Sequence, residues 1–361
     1  MKTVSLRCAV KAGDHELVST LIASGAYVDE KRCDYNGMTA LQLAATCGHK
    51  EIVKTLLDSG ANVWSCDDNC ATALHYAAKS GHHEIVSILL DRGANVDSAD
   101  MNGWTALHYA AKREYLEIVS ILLDREADVM SVDMNGWTAL HYAARSGYPV
   151  IVSMLLSRGA DVDSADNEGW TALQLASKIG HSEVVRTLLV GGANVNTADK
   201  DDATALHYAA NSGHEVILSL LLDNGARVES VDKFAVTALH YAAKSGYERV
   251  VVMLIEKGAD IKCIDDNGWT PLHYASRNGR REVVATLLER GADVKSGCIT
   301  RATALHHAAI GGHEKIVWML LDKGANVFSV DSNGMTPFRY AAKCGHEEIA
   351  TLLQYRSYLQ Q

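Results

Sequence analysis

Residues 100–111 read DMNGWTALHYAA, and residues 133–144 read DMNGWTALHYAA again. The two copies stand 33 residues apart, and the same interval runs through the chain: Thr recurs at 39, 72, 105, 138, 171, 204, 237, 270, 303 and 336. A fixed period of roughly 20–50 residues marks a stacked repeat protein, whose length does not count independent domains. Opening each unit five residues before its Thr places unit starts at 34, 67, 100, 133, 166, 199, 232, 265, 298 and 331. Residues 1–33 supply a partial first unit, because Leu6 to Val28 align with Leu41 to Val63, and the hairpin that follows is two residues longer than the others. The expectation is one domain over 1–361: a capping unit at 1–33, nine full repeats at 34–330 and a capping unit at 331–361.

Each unit has a physical reading, illustrated by residues 265–297. Asp265-Asp266-Asn267-Gly268 is a turn signal. Thr270-Pro271 begins a helix, with Thr as N-cap and Pro at the first helical position. Leu272, Ala275 and Ser276 share one face of a two-turn helix, and Gly279 suits its left-handed end. Val283, Val284, Leu287 and Leu288 repeat at helical spacing in a second helix, which Gly291-Ala292 closes. Two helices this short cannot bury their apolar faces alone, so each pair must stack on its neighbours.

This pattern resembles the ankyrin repeat, with its hairpin loop, T-P-L-H-x-A-A helix and G-H-x-E-I-V-x-x-L-L-x-x-G-A helix. Unit 265 retains Thr270-Pro271-Leu272-His273, and most units carry Ala for the Pro, as in Thr105-Ala106-Leu107-His108. The resemblance spans the chain and implies an all-α, curved solenoid of about eleven helix-turn-helix units with hairpin tips along one edge. It further implies recognition of another protein through a concave groove made by the tips, the residue before each Thr and the end of each first helix.

The bulk properties agree with such a chain. Of 361 residues, 48% are hydrophobic and 22% charged, and the net charge of -10 opposes general binding to nucleic acid or acidic membrane. The opening MKTVSLRCAVKAGDHELV has no signal-type apolar run, and no stretch approaches the length of a membrane span. Eight Cys then read as reduced thiols, which places the chain in the cytoplasm or nucleus.

Candidate chemistry is weak. His at 75, 108, 141, 207, 240, 273 and 306 always stands three residues after the Thr, with Gln42, Gln174 and Arg339 replacing it elsewhere. A catalytic His needs one particular nucleophile or carboxylate rather than the same neighbours seven times. The reading is a helix-start residue that pairs with the Thr, and the resemblance implies that it ties hairpins together. The Tyr that follows most of these His reads as a packed stripe with its hydroxyl near the surface. A second His series after Gly, at 49, 82, 181, 214, 313 and 346, suits the start of the second helix. Cys33, Cys66 and Cys70 could approach one another, but no fourth ligand or zinc-module spacing accompanies them. No phosphate-binding Gly loop or G-x-S-x-G motif occurs, so no catalytic residue, metal or cofactor is expected.

Two recurrent features could bind a partner. The residue before Thr is Trp at 104, 137, 170 and 269, either a row of interface anchors or indoles packed over their own hairpins. The first helix ends on a cation at Lys79, Lys112, Arg145, Lys178, Lys244, Arg277 and Lys343, which either complements the helix dipole or forms a positive ladder for an acidic or extended segment. Departures from the pattern include Glu114 and Glu126 at glycine positions, Cys298 in place of a turn Asp, and Phe234 at a turn tip with no core role. The expected function is a non-enzymatic protein-interaction scaffold binding through Trp104, Trp137, Trp170, Trp269, Lys79, Lys112, Arg145, Lys178 and Phe234. The alternatives are a ligand-sensing segment of a larger signalling protein and, less favoured, a binder of nucleic acid or another anion.

Overall fold

The computed structural model describes residues 5–30 and 36–359. Cys33, Asp34 and the longer first hairpin lie outside the described residues. Among these there are 22 helices, from Leu6–Ala12 to Glu347–Leu359, and no strand beyond isolated antiparallel bridges such as Cys66 with Thr72. The chain falls into two compact units, one of Met1–Ala172 with Val190–Ala193 and the other of Leu173–Leu189 with Asn194–Gln361. Each is a stack of helix pairs in which consecutive first helices pack together and consecutive second helices do the same.

Local chemistry explains every helix pair. Thr105 has extended backbone (φ -98°, ψ 170°) and caps the Ala106–Lys112 helix, and the equivalent Thr holds the same conformation in its neighbours. In residues 67–99, Leu74, Ala77, Ala78, Ile85, Val86 and Leu89 are at most 1% exposed, so small residues on the first helix meet branched ones on the second. The pattern persists because Ala lets the first helices approach closely, while Ile, Val and Leu fill the remaining width. Ser177 and Ser276 stand at Ala positions in this seam with buried hydroxyls that find no partner.

Buried polar groups join one helix pair to the next. His108 Nδ1 accepts the Thr105 N–H at 3.0 Å, which leaves Nε2 to donate to the Trp137 carbonyl at 3.0 Å in the following hairpin. His75, His141, His240 and His306 reach the equivalent carbonyls of Trp104, Trp170, Trp269 and Met335, and His207 reaches that of Ser230. Gln42 and Gln174 do the same work: Gln42 Nε2 donates to Ser65 and Ala71, and Gln174 Nε2 to Thr197 and Ala203. His273 is the exception, because its Nε2 is buried without a hydrogen-bond partner.

The second His series does more than begin a helix. His82 Nε2 lies 3.2 Å from the Thr46 carbonyl of the preceding pair, and its ring covers Gly48, where an added Cβ would come within 2.6 Å of it. Arg280 makes the equivalent bond, from Nε to the Lys244 carbonyl at 3.0 Å. Glu114 and Glu126 adopt the left-handed backbone that glycine holds elsewhere, each at φ 61°. The glycines equivalent to Glu126, Gly93 and Gly159, have open space around them, so Glu126 meets only conformational strain. Replacing Glu126 by Gly is expected to raise stability by about 1 kcal/mol, read as a higher thermal midpoint; an unchanged or lower midpoint would refute the strain.

Burial also sets a pH dependence. Desolvation lowers the pKa of His75, His108, His141, His207, His240 and His306, and lowers His273 from 6.5 to about 4. Above pH 6.5 these rings are neutral whether the chain is folded or unfolded. Below it the unfolded chain takes up protons that the folded one refuses, so stability falls until the folded pKa is reached. For His273 the loss is about 1.4 kcal/mol per pH unit between 6.5 and about 4. His273→Gln should flatten the fall in denaturation midpoint across that window and stabilise the protein at pH 5 more than at pH 7.5. Equal effects at both values would show that His273 does not titrate on unfolding.

Candidate functional site

The hairpins and the ends of the first helices are built from an aspartate that the sequence reading treated only as a turn former. Asp100 Oδ1 accepts the N–H groups of Asn102 (2.8 Å) and Trp104 (3.0 Å), which closes the turn. Its Oδ2 accepts the Tyr109 hydroxyl at 2.7 Å, tying the hairpin to the helix behind it. Tyr76, Tyr142, Tyr208, Tyr241, Tyr274 and Tyr340 bind their own turn Asp in the same way. The Tyr stripe is therefore a set of hydrogen-bonded struts and not, as expected, a stripe ending in surface hydroxyls. Their partial burial and the adjacent carboxylate raise the phenol pKa values. Unit 298 loses both partners at once, having Cys298 for the Asp and His307 for the Tyr, and burial and neighbouring His273 drive His307 down to about 3.

Successive tips are linked by single backbone hydrogen bonds. The N–H of Met101 donates to Asn69 at 2.9 Å and that of Met134 to Asn102 at 3.0 Å; Lys233, Asp266 and Ile299 continue the pattern. Gly103 permits this approach, since a Cβ there would lie 2.9 Å from the Asp133 Cα at a φ of +80°. The tips leave Met101, Met134, Phe234 and Ile299 more than half exposed.

The tryptophans occupy the angle between tip and helix. Trp104, Trp137, Trp170 and Trp269 are all half-buried. Trp104 lies 4.8 Å from Tyr109 of its own unit and 4.4 Å from Tyr142 of the next, and Trp137 lies 5.0 Å from Tyr142, measured between ring centroids. Trp137 Nε1 also donates to Asp166 Oδ2 at 2.8 Å. That acceptor is available because Leu175 stands where other units carry the Tyr. Trp269 packs between Tyr274 (5.2 Å) and His307 (4.0 Å).

The cations lie on this aromatic row. Lys79, Lys112, Arg145 and Lys178 are exposed. Lys112 Nζ lies 4.8 Å from the Trp104 ring centroid and 5.7 Å from that of Tyr142. Lys79 covers Tyr109 at 5.5 Å, Arg145 covers Trp137 at 5.3 Å, and Lys178 covers Tyr208 at 5.5 Å. Phe234 is 55% exposed, with Lys233 Nζ 5.0 Å above its ring. Of the three thiols considered above, Cys33 is not among the described residues, Cys66 is half-buried and Cys70 is exposed in a left-handed turn position at φ 58°. Among the described residues no group of three or more His, Cys, Asp or Glu could hold a metal ion, and no helix is long and apolar enough to cross a membrane.

The family model for ankyrin repeats (3 copies) matches residues 6–100, 97–166, 151–232, 217–298 and 295–360, nearly the whole chain. The chain is an ankyrin-repeat protein. Ankyrin repeats are in general protein–protein interaction modules. No curated protein matches the chain individually.

In this ankyrin array the Trp row contributes packing between successive repeats. Trp104→Ala should lower the thermal midpoint, by an equivalent of about 1–3 kcal/mol, through loss of ring contacts with Tyr109 and Tyr142. A midpoint unchanged from wild type would show that the indole holds nothing together.

Proposed function

We propose that this ankyrin-repeat protein is a non-enzymatic scaffold that binds an acidic, extended segment of another protein along the tips and first-helix ends around residues 79–145. One observation carries the reading. The chain has a net charge of -10, yet Lys79, Lys112 and Arg145 stand exposed over a continuous row formed by Tyr109, Trp104, Tyr142 and Trp137. The turn carboxylates of this strip, Asp67, Asp100 and Asp133, are buried beneath the rings, so the charges it presents are the cations, which favour an acidic partner, while the remaining acidic charge of the protein disfavours phosphate polymers. The row is held in place before any partner arrives, so little ordering cost opposes binding. Trp170, Trp269 and Phe234 extend the apolar part of the same kind of surface within their own repeats.

The cations are the residues to change, because they are exposed and the tryptophans support the fold. A Lys79→Gln, Lys112→Gln, Arg145→Gln variant should melt close to wild type. A partner isolated with the wild-type protein should bind it at least about tenfold more weakly, and wild-type binding should fall as salt rises. Undiminished binding by the folded variant would refute this reading.

A further inference from the structure

The repeats do not all carry the indole, and the difference leaves a vacancy that the other repeats explain. In unit 100, Trp104 fills the gap between Tyr109 and Tyr142, with Lys112 Nζ above it. In unit 232 the corresponding residues are Val236, Tyr241, Tyr274 and Lys244. Val236 has the backbone position of the tryptophan without its ring. A cavity of about 290 Å³ occupies this place, walled by Val236, Phe234, Tyr241, Tyr274 and Lys244, with Asn267 and His240 also lining it and the carboxylates of Asp232 and Asp265 where the tyrosine hydroxyls end.

Each wall has a counterpart where an indole is present. Tyr241 and Tyr274 are held by their own turn aspartates, with hydroxyl-to-Oδ2 distances of 2.7 Å each, as Tyr109 is held by Asp100. The slot therefore has rigid sides. Beyond it, Tyr274 packs on Trp269 at 5.2 Å and Trp269 on His307 at 4.0 Å, so one more ring between Tyr241 and Tyr274 would complete a row like that of unit 100. Lys244 is exposed at the position from which Lys112 covers Trp104. Ala71 and Ala203 also lack the ring, but their tips carry Asn69 and Asp201, whereas Phe234 gives this slot an aromatic rim that is 55% exposed.

From this geometry we infer that the cavity between Tyr241 and Tyr274 is an anchor site for a tryptophan side chain of a partner polypeptide. The inference deepens, and rests on, the reading of the chain as a protein-binding module. Three features favour this occupant. The space, about 290 Å³, stands at the small end of ligand pockets and is enough for one bicyclic ring. Two tyrosine walls and an exposed lysine beside them suit the most electron-rich aromatic side chain. Asn267 at the exposed tip offers an amide to the partner's backbone where the chain must enter and leave.

The test uses the whole protein, labelled at valine methyl groups, with a blocked pentapeptide Gly-Glu-Trp-Glu-Gly and its leucine counterpart. The tryptophan peptide is expected to move the Val236 methyl resonances in a saturable manner, and the leucine peptide is not. Val236→Trp places the protein's own indole in the slot; it should melt above wild type and no longer bind the peptide. Lys244→Ala should fold normally and bind about threefold more weakly. Absence of a Val236 shift, equal binding of the leucine peptide, or a Val236→Trp protein less stable than wild type would each overturn the assignment. Binding of N-acetyl-tryptophan amide without binding of the peptide would overturn the polypeptide as its source. Val236→Trp leaves Lys79, Lys112 and Arg145 in place, so the binding proposed for those residues fails or survives in a separate measurement.

Discussion

The buried imidazole at the third position of seven of the first helices is the joint on which the stack depends. Its Nδ1 accepts from the N-cap threonine's N–H, and this fixes the tautomer that presents Nε2–H to the next hairpin. Helices of seven to nine residues have little stability of their own. Their order comes from neighbours, and a neighbour must be held at one distance and in one register. A ring that bonds simultaneously to its own cap and to the following loop sets both. Gln42 meets the same requirement with a different side chain, an acceptor toward the cap and an amide donor toward the next hairpin, and Gln174 supplies the same amide donor. The constraint is thus the pair of hydrogen bonds and not the imidazole itself.

The joint weakens at one place. His273 lacks a partner for Nε2, and the repeat that follows has lost the Asp–Tyr strut through Cys298 and His307. Trp269 lies directly against His307 there, so aromatic packing replaces the missing polar bonds. One repeat separates this irregular repeat from the slot-bearing one, and the least standardised part of this array also carries Phe234 and Ile299 at its tips. Where bonds that hold the stack repeat without change, they leave no information for a partner; the substituted positions are where a specific surface can arise.

Much of the fold was legible in the sequence because its determinants act within one period. Thr39 to Thr336 marks the helix starts, glycine the helix ends, and Leu, Ala, Ile and Val the buried seam. Each is a local requirement of capping, left-handed backbone or helical spacing. The candidate site was legible only as residue types. Trp104 and Lys112 could be singled out by position, but whether the indole stood free or lay between two tyrosines depended on a ring in the following repeat.

The sequence by itself determined the period and the class of fold, since both follow from the spacing of caps and apolar residues along the chain, and its repeated Thr-Ala/Pro-Leu-His motif carried the resemblance to the family. Tertiary structure alone decided the pairing of Asp100 with Tyr109, the half-burial of the tryptophans, the seat of the cations over the rings, and the vacancy beside Val236. The reason is physical: these contacts join a hairpin to a helix or one repeat to the next, such as His108 to a carbonyl 29 residues on. Their partners are selected by how stacked surfaces fill space, and no local pattern of residues specifies that in advance.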